Sequence, residues 1–443
     1  MGERRARTLP CWLTLAAVLL AAPAAAQTPP FTLGGDSRVD PSDFRVTVFA
    51  SGLDFPLSMQ ALSDGSLLVG TDGGLLRLLD ADGDGVADGP GTYLYTGTPG
   101  GVTSLRMAGN LAFVAHGQTV SILRRGVSPA TPLTLATSFV IQIPFPWSHI
   151  SFTLAAREVD TNLFELFFNV GSKQDGVATA VTVPVSGAIT GVVNPDSIYR
   201  VVVDDSGPSV VVSGLERIAS GVRNAFGIAF HPVTGDLYFE DNSIDGPVPP
   251  YEVSTDELNR ILVAQIGGPV EDFGFPYNYI AYRTGIEVGS GGIDPILTFQ
   301  PIPAPNGVES EGPAEISFAP PGFPVGLREG LFVGFHGLFT QAGLANTDNP
   351  VVYVDLGTLE YFHYVESAQP GAGHPDGLLA TGDSLFVADF TTQGGFSVPN
   401  AGRISQIRYL GGASAVPGAA PLGIAVLGSL LLITGAGLCQ RRR

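Results

Sequence analysis

Apolar residues between about residues 43 and 410 occur in short runs of Val, Leu, Ile and Phe that are separated by turn signals. Runs of about four to eight such residues, bounded by Gly, Pro, Asn or Asp, favour β-strands. Helical periodicity is hard to find in this region, and the whole chain contains 58 Gly and 35 Pro, which supply turns. The pattern predicts an all-β body built from many short strands.

One unit recurs six times along this body. Each copy consists of a turn, a buried strand that ends in a polar loop, and a further strand. The copies begin at Asp64, Gly109, Thr161, Thr234, Glu329 and Gly382. Repeated antiparallel units of this kind predict a six-bladed β-propeller of four-stranded antiparallel sheets around a central channel. A β-sandwich is the structural alternative, but it does not explain six similar units.

A longer segment, Ala264–Leu327, separates the fourth and fifth copies and is rich in Pro and aromatic residues. Part of this segment has the pattern of a strand. The remainder either walls a pocket or forms a solvated loop, and the sequence leaves both interpretations open.

Both ends of the chain have the composition of targeting segments. Residues 1–26 combine a basic start, an apolar run and small residues up to Ala26, which predicts a cleaved signal peptide; a membrane-spanning signal anchor is the alternative. At the other end, a linker over residues 411–421 precedes an apolar run from Leu422 to Cys439 and three terminal arginines. Residues 422–443 therefore predict a C-terminal hydrophobic anchor, with a short buried helix as the alternative.

This tail resembles the PEP-CTERM sorting signals of bacterial surface proteins, which join a short proline motif, a hydrophobic helix and an arginine cluster. The sequence has "VPG" at 416–418, where those signals usually have "VPEP". We therefore expect export to the periplasm or the cell surface, with at least transient anchoring in a membrane through the C-terminal helix.

The charge balance narrows the range of partners. The chain carries a formal net charge of −19. The two targeting segments are net basic, because they contain arginines and few acidic residues, so the body between them is more acidic than the whole chain. An acidic surface repels nucleic acid, which excludes it as a partner, and favours cations such as calcium. Both cysteines, Cys11 and Cys439, lie in the end segments. The body therefore has neither a disulfide nor a cysteine-based site.

One short stretch has the spacing of a calcium-binding loop. In "DADGDGVAD", Asp80, Asp82, Asp84 and Asp88 occupy positions 1, 3, 5 and 9 of an EF-hand-like loop, and the carbonyl of Val86 falls at position 7. The acidic residue expected at position 12 is missing. The stretch predicts a structural calcium site, and an Asp-Gly-rich hairpin without metal is the alternative.

Candidate catalytic residues stand beside the buried strands. In a propeller, the loops that enter or leave the inner strands converge on the mouth of the channel. His149 in "WSHISF", Lys173 in "VGSKQD", and Arg223 with Asn224 in "GVRN" occupy such positions. Lys173 is the only lysine of the chain.

Three stretches of the sequence carry a family resemblance. "GVRNAFGIAFHPVTGDLYFEDN" (Gly221–Asn242), "DELNRI" and "DFGFPYNY" together resemble the soluble quinoprotein glucose/sorbosone dehydrogenases. Members of that family are six-bladed propellers that use pyrroloquinoline quinone (PQQ) and calcium. The likeness extends more loosely from about Phe44 to Tyr409.

The resemblance implies roles for individual residues. His149 matches the base that takes the proton of the substrate hydroxyl, a task suited to imidazole. Arg223 and Asn224 match residues that hold the carboxylates and quinone oxygens of the cofactor. Asp241 and Asn242 fall where family members place calcium-binding or cofactor-adjacent backbone. Three further residues match the motif that shapes this loop: Asp256, Glu257 and Asn259.

The sequence departs from the family at the last two blades. Where glucose-type members offer further Lys and Arg to the cofactor, this chain offers His336 and His374. Sorbosone-type members also have a histidine near the position of His336, so that branch is the nearer likeness. With both histidines expected to be neutral at pH 7, Arg223 and Lys173 are the cations predicted to face the three carboxylates of the cofactor. A salt bridge between neighbouring blades is the alternative role for Arg223.

The function implied is PQQ-dependent oxidation of a sugar or a related alcohol or aldehyde by an exported protein. No C-x-x-C-H haem motif is present, so an external electron acceptor is expected. Two alternatives stand beside this interpretation: a non-catalytic surface propeller that binds extracellular glycan or protein, and a calcium-dependent hydrolase of the lactonase type.

Overall fold

The structure is a computed structural model that describes residues 28–244, 253–307, 312–337, 349–369, 372–391 and 398–411. The predicted signal peptide and C-terminal helix lie outside these residues. The described part of the chain consists of β-strands, loops and one 3-10 turn, Pro41–Asp43, and it contains no α-helix. It likewise has no helix of the length and apolarity needed to cross a membrane.

Twenty-nine strands are formed by the described residues. They are β1 (Phe44–Leu53), β2 (Ser58–Ala61), β3 (Leu67–Thr71), β4 (Gly74–Leu78), β5 (Thr92–Tyr95), β6 (Val102–Ala108), β7 (Leu111–His116), β8 (Thr119–Arg124), β9 (Thr134–Ile141), β10 (Leu154–Asp160), β11 (Leu163–Val170), β12 (Val183–Gly187), β13 (Gly191–Val193), β14 (Ser197–Asp204), β15 (Val211–Ser220), β16 (Ile228–Phe230), β17 (Leu237–Asp241), β18 (Asp256–Ile261), β19 (Glu271–Asp272), β20 (Tyr279–Ile280), β21 (Glu287–Val288), β22 (Leu297–Phe299), β23 (Pro313–Phe318), β24 (Leu331–Phe335), β25 (Val351–Asp355), β26 (Glu360–Val365), β27 (Pro375–Ala380), β28 (Ser384–Asp389) and β29 (Gly402–Tyr409).

These strands form six antiparallel blades. From the inner strand outward, the blades are β2-β3-β4-β5, β6-β7-β8-β9, β10-β11-β14-β15, β16-β17-β18-β22, β23-β24-β25-β26 and β27-β28-β29-β1. The predicted six-bladed propeller is confirmed. Two blades are larger than predicted, because β12 and β13 extend the second blade and β19 pairs in parallel with β15 of the third.

The ring is closed by the N-terminal strand. The inner strands β2, β6, β10, β16, β23 and β27 contact one another in turn, and β27 contacts β2. The outermost strand of the sixth blade is β1, which pairs with β29 from Phe44↔Tyr409 to Leu53↔Gly402. Hydrogen bonds between the two ends of the body therefore hold the circle together.

The second strand of each blade explains the repeating apolar runs. Every residue of β3, β7, β17, β24 and β28 is buried, because these strands are covered on both faces by neighbouring blades. Aromatic rings fill the space between blades, as where Phe139 meets Phe168 at 5.6 Å between centroids. Burying one such side chain contributes about 1.5–3 kcal/mol, so the core of a large ring needs no disulfide.

An ion pair crosses the central channel. Arg106 lies on β6 of the second blade, and Glu315 lies on β23 of the fifth, the blade opposite it in a ring of six. Arg106 Nη2 donates to both carboxylate oxygens of Glu315, at 2.7 and 2.8 Å, and Nη1 donates to Ser58 Oγ of the first blade at 3.2 Å. Burial raises the pKa of Glu315, and the charge of Arg106 opposes that rise.

The long segment between the fourth and fifth copies supplies both strand and pocket wall. It contains β19 to β22, and its residues Phe273, Phe275 and Asn278 line a cleft beside the fourth blade. The pocket-wall interpretation of this segment is therefore the one that the fold supports.

Candidate active site

The candidate residues lie on one face of the propeller. Each inner strand runs from this face to the other, and the second strand of the blade returns antiparallel to it. Residues just before a first strand and just after a second strand must therefore share a face, which we call the candidate face. The residues placed in this way are His149, Lys173, Arg223, Asn224, Asn242, His336 and His374.

A glycine allows the loop of His149 to lie against the neighbouring loop. A Cβ atom added to Gly171 would come within 2.7 Å of His149 Cβ, so only glycine fits there without a shift. Trp147 Nε1 donates to the carbonyl of Gly171 at 3.2 Å. The two contacts fix the position of the His149 backbone over the end of β11.

The hydrogen bonds of His149 assign its tautomer. Its Nδ1 lies 3.0 Å from the carbonyl oxygen of Ser172 and 2.8 Å from Ser172 Oγ. That hydroxyl donates its own hydrogen to the carbonyl of Gln174 at 2.8 Å, so both neighbours of Nδ1 act as acceptors. Nδ1 therefore carries the hydrogen, and Nε2 keeps its lone pair.

Electrostatics keeps His149 neutral. Burial, and then the charge of Arg223, lowers the pKa of His149 to about 4, although Asp175 acts in the opposite direction. The neutral ring with a bare Nε2 is the form that a proton acceptor requires at pH 7.

Arg223 bridges the third and fourth blades. Its side chain is 2% exposed, and its Nε donates to Asp175 Oδ1 at 3.1 Å, while Nη2 donates to the same oxygen. Nη1 donates to the backbone carbonyl of Asn242 at 3.1 Å. Asp175 follows β11 and Arg223 precedes β16, so this contact is the interblade salt bridge named above as the alternative role of Arg223.

Asp241 and Asn242 hold the loop of Arg223 in place. Asp241 accepts hydrogen bonds from the backbone N–H groups of Asn224, at 2.6 Å, and Arg223, at 2.8 Å. Asn242 Nδ2 lies within 3.1 Å of three oxygens, those of Asn224, Glu240 and Pro313. Both residues, predicted as calcium ligands or neighbours, thus have a positioning role in the structure. Asn224 Oδ1 is buried and accepts no hydrogen bond from the described residues.

An acidic cleft lies beside this loop. Arg223, Asp241, Glu257 and Asn278 are among its lining residues. Asp241 and Glu257 are direct cross-strand partners in β17 and β18, an arrangement in which like charges repel. Burial raises the pKa of Asp241 to about 7; burial and then the charge of Asp241 raise the pKa of Glu257 to about 8.

The cleft also presents an amide oxygen. Asn278 is 8% exposed, and its Oδ1 accepts no hydrogen bond within the described part of the chain. Carboxylate and amide oxygens are preferred ligands of hard cations such as calcium. Sequence reasoning did not assign Glu257 or Asn278 as ligands, although the pairing of "ED" at the end of β17 with "DE" at the start of β18 was a usable signal.

The two histidines of the last blades form a separate cluster. The rings of His336 and His374 stack with centroids 4.5 Å apart, and His336 Nδ1 lies 2.6 Å from Asp376 Oδ1. Burial lowers the pKa of His336, but the charge and hydrogen bond of Asp376 outweigh it, and the net shift is upward. The neutral ring expected for His336 is thus disfavoured by a carboxylate partner that the sequence did not reveal.

This histidine cluster adjoins the Arg223 loop through the start of β23. The backbone N–H of His336 donates to the carbonyl of Gly312 at 2.7 Å, and Asn242 Nδ2 donates to the next carbonyl, that of Pro313, at 2.9 Å. Lys173 lies on the other side, where its backbone carbonyl accepts from Ser148 at 3.1 Å. Its ammonium has no ion pair with a described residue.

The predicted calcium loop brings three carboxylates together. One oxygen from each of Asp80, Asp82 and Asp84 lies within 4.8 Å of the others. Asp88 instead closes the loop, because its Oδ2 accepts from the backbone N–H of Ala81 at 2.6 Å. Val86 lies at the turn, where its N–H donates to Asp84 at 2.8 Å. The loop packs on β1, where Thr47 Oγ1 donates to the carbonyl of Gly85 at 3.0 Å.

Comparison with known proteins supports the fold. No family model matches the chain. Among curated proteins, an uncharacterised protein of Borreliella burgdorferi is 43% identical over 65 residues, and the chain spans only 14% of the length of that relative. This short match carries no function.

Several solved structures resemble the chain in fold. A calcium-containing Carbohydrate-Active Enzymes Family AA12 protein of Trichoderma reesei gives a TM-score of 0.58 at 16% identity, covering 87% of this chain and 99% of that chain. The PQQ domain of a pyranose dehydrogenase from Coprinopsis cinerea, in its holo form, gives 0.55 at 17% identity with the same coverage. The PQQ-bound aldose sugar dehydrogenase of Streptomyces coelicolor gives 0.52 at 16% identity, over 84% and 99% of the two chains. At such identities the likeness shows the fold alone.

Proposed function

We propose that this propeller is a PQQ-dependent dehydrogenase that oxidises a sugar or a related alcohol or aldehyde, with His149 as the base. The observation that carries the proposal is the tautomer of His149: Nδ1–H is committed to Ser172, and Nε2 is left as an acceptor on the candidate face. The fold shared with sugar dehydrogenases supports the same class of activity.

The residues of the chain would act as follows. His149 Nε2 accepts the proton of the substrate hydroxyl as the C–H bond is broken, and Ser172 keeps the ring oriented during this transfer. When bound, PQQ supplies the oxidant that takes up the hydride. The low pKa of His149 means that the proton is passed on to water readily, which returns the base to its starting form.

The donor groups of the candidate face fit a polycarboxylate in part. Lys173 and Arg223 are cations in adjoining loops, and the pKa of His336 is raised on balance, because Asp376 outweighs the effect of burial. Lys173, Arg223, Asn224, His336 and His374 are therefore the residues that would hold PQQ. Arg223, however, already binds the carboxylate of Asp175.

Calcium has two candidate places. The Asp80–Asp82–Asp84 group suits a structural ion that holds the loop against β1. The acidic cleft suits a second ion, since Glu257 and the free amide oxygen of Asn278 face the same space as Asp241. A divalent cation there offsets the repulsion between the paired carboxylates of Asp241 and Glu257.

The setting proposed for this activity is outside the cytoplasm. The composition of residues 1–26 and 422–443 supports export and a membrane anchor, and both segments lie outside the described residues. Electrons from the oxidised substrate then pass to an external acceptor.

The proposal is tested by calorimetric titration of the full-length protein with PQQ and calcium, followed by dye-linked assays on sugars, alcohols and aldehydes. We expect binding in the wild type and in His149→Ala, but turnover only in the wild type. Arg223→Lys serves as the binding variant, because Arg223→Ala removes a buried charge and endangers folding. A folded protein that binds no PQQ with calcium present contradicts the proposal.

One observation favours the non-catalytic alternative. Arg223 and His336, two of the groups proposed to hold PQQ, are each paired with a carboxylate of the protein, Asp175 and Asp376. A surface propeller with a decayed cofactor site has the same pairs. The titration separates the two, because that alternative requires no affinity for PQQ.

A further inference from the structure

The hydrogen bonds of Arg223 leave little of its guanidinium for a ligand. Nε and Nη2 both donate to Asp175 Oδ1, and Nη1 donates to the carbonyl of Asn242. A carboxylate ligand binds arginine through a pair of parallel N–H groups, and the edge formed by Nε and Nη2 is one of the two such edges. Asp175 occupies that edge.

The two partners differ in their access to solvent. The side chain of Arg223 is 2% exposed, whereas that of Asp175 is 30% exposed. Asp175 follows the Gly171–Ser172–Lys173 stretch in the loop after β11, and it is the more exposed partner of the pair. The backbone of Arg223 is held on its other side by Asp241, at 2.8 Å, and by Ser172, whose N–H donates to the Arg223 carbonyl at 2.8 Å.

From this asymmetry we propose that Asp175 is a built-in competitor for anions: it covers an anion-binding edge of Arg223, and a carboxylate ligand reaches that edge only when Asp175 moves away. Asp175 is thus a specificity-determining residue, since it penalises ligands that bring one weak negative charge and admits those whose several carboxylates together outcompete it. The inference rests on the proposed function for the identity of the ligand, but the covering of Arg223 does not.

Charge distribution supports the same inference. The chain has a formal net charge of −19, and Asp175 adds a negative charge at the place where an anionic ligand would bind. Removing that charge takes away the Oδ1 acceptor of two N–H groups and lowers the repulsion between the candidate face and an anion. Both effects strengthen anion binding, so the variant has a predicted direction.

The first test needs no cofactor. Phenylglyoxal modifies accessible arginine side chains, and peptide mass spectrometry of the full-length protein gives the rate for each arginine. We expect Arg223 to be modified about tenfold faster in Asp175→Ala than in the wild type, the factor that corresponds to about 1.4 kcal/mol. Equal rates in the two proteins overturn the inference.

A matched variant controls for a general loosening of the fold. Asp205→Asn removes another interblade carboxylate, which binds Arg124 at the opposite face of the ring. It should leave the modification rate of Arg223 unchanged. If Asp205→Asn speeds modification of Arg223 as much as Asp175→Ala does, the effect is not due to local cover and the inference is wrong.

The second test uses PQQ with calcium as the probe and Asp175→Asn, which keeps the size of the side chain. Calorimetry should show binding about tenfold tighter than in the wild type. Equal affinities overturn the inference and leave the proposed function standing. If neither protein binds PQQ, the proposed function fails, and the modification rates alone decide whether Asp175 covers Arg223.

Discussion

The ion pair across the channel gives the sharpest test of the fold. Glu315 is 6% exposed, and both of its oxygens accept from Arg106 Nη2 at 2.7 and 2.8 Å. Arg106→Met removes the charge and both hydrogen bonds while filling much of the volume. Because a buried carboxylate is left without its counter-ion, the free energy of unfolding should fall by about 3–5 kcal/mol.

The same variant should have a characteristic dependence on pH. Burial already raises the pKa of Glu315 above its ordinary value of 4.5, and the loss of Arg106 raises it further. A carboxyl with a raised pKa in the folded protein holds its proton more tightly than the unfolded chain does, so stability falls as pH rises above about 4.5. The cost of Arg106→Met should therefore be smallest in acid and grow towards neutral pH.

The assay is urea unfolding of the full-length protein, followed by far-ultraviolet circular dichroism at two pH values. Arg328→Met is the control, because Arg328 and Glu329 are 47% and 57% exposed and such a pair contributes about 0–1 kcal/mol. The double variant Arg106→Met/Glu315→Leu should be more stable than Arg106→Met alone. A loss below about 1 kcal/mol in the single variant, equal to that of the control, refutes the description of a buried ion pair across the channel.

Three further outcomes are expected. Gly171→Ala, which places a Cβ 2.7 Å from that of His149, should reduce turnover by at least about tenfold with little change in PQQ affinity; an unchanged rate in dye-linked assays contradicts the positioning of His149. Chelation of calcium should lower the thermal midpoint, and Asp82→Asn should lower the calcium-dependent part of it; identical melting with and without chelator removes the structural calcium site. In the absence of calcium, the free energy of unfolding should fall as the pH rises from about 4 to about 8, because the folded protein binds more protons at Asp241 and Glu257 than the unfolded chain does. Added calcium should restore more stability at about pH 8 than at about pH 6. A calcium effect that is independent of pH contradicts binding in the cleft.

Most of the fold could be predicted from the sequence, because the blades of a propeller repeat the same strand pattern. Turn, buried strand and polar loop recur with each blade, so the six copies could be counted without knowing any long-range contact. The outer strands were harder to predict: β12, β13 and β19 extend two blades, and their short runs have no pattern that names a partner strand. Closure through β1 and β29 joins residues at opposite ends of the body, which periodicity does not encode.

The site was predictable in part for a related reason. The positions of His149, Lys173 and Arg223 beside buried strands placed them on one face, since strand direction alone fixes the face. Their partners depended on side chains from other loops. Asp175 and Asp376, which pair with Arg223 and His336, carry no local signal of that role. The acidic cleft likewise arises from the register of β17 against β18.

The way the ring closes also decides where the two ends of the propeller body lie. Leu53 and Gly402 pair at the candidate face, and Phe44 and Tyr409 pair at the other end of the same two strands, roughly 25 Å away. The segment that follows Tyr409 therefore begins at the far face, whereas the described segment before Phe44 runs back along β26 towards the candidate face, where Leu33 pairs with Val365. A tether attached after Tyr409 would therefore start at the face opposite His149, so the mouth of the channel would be turned away from the point of attachment.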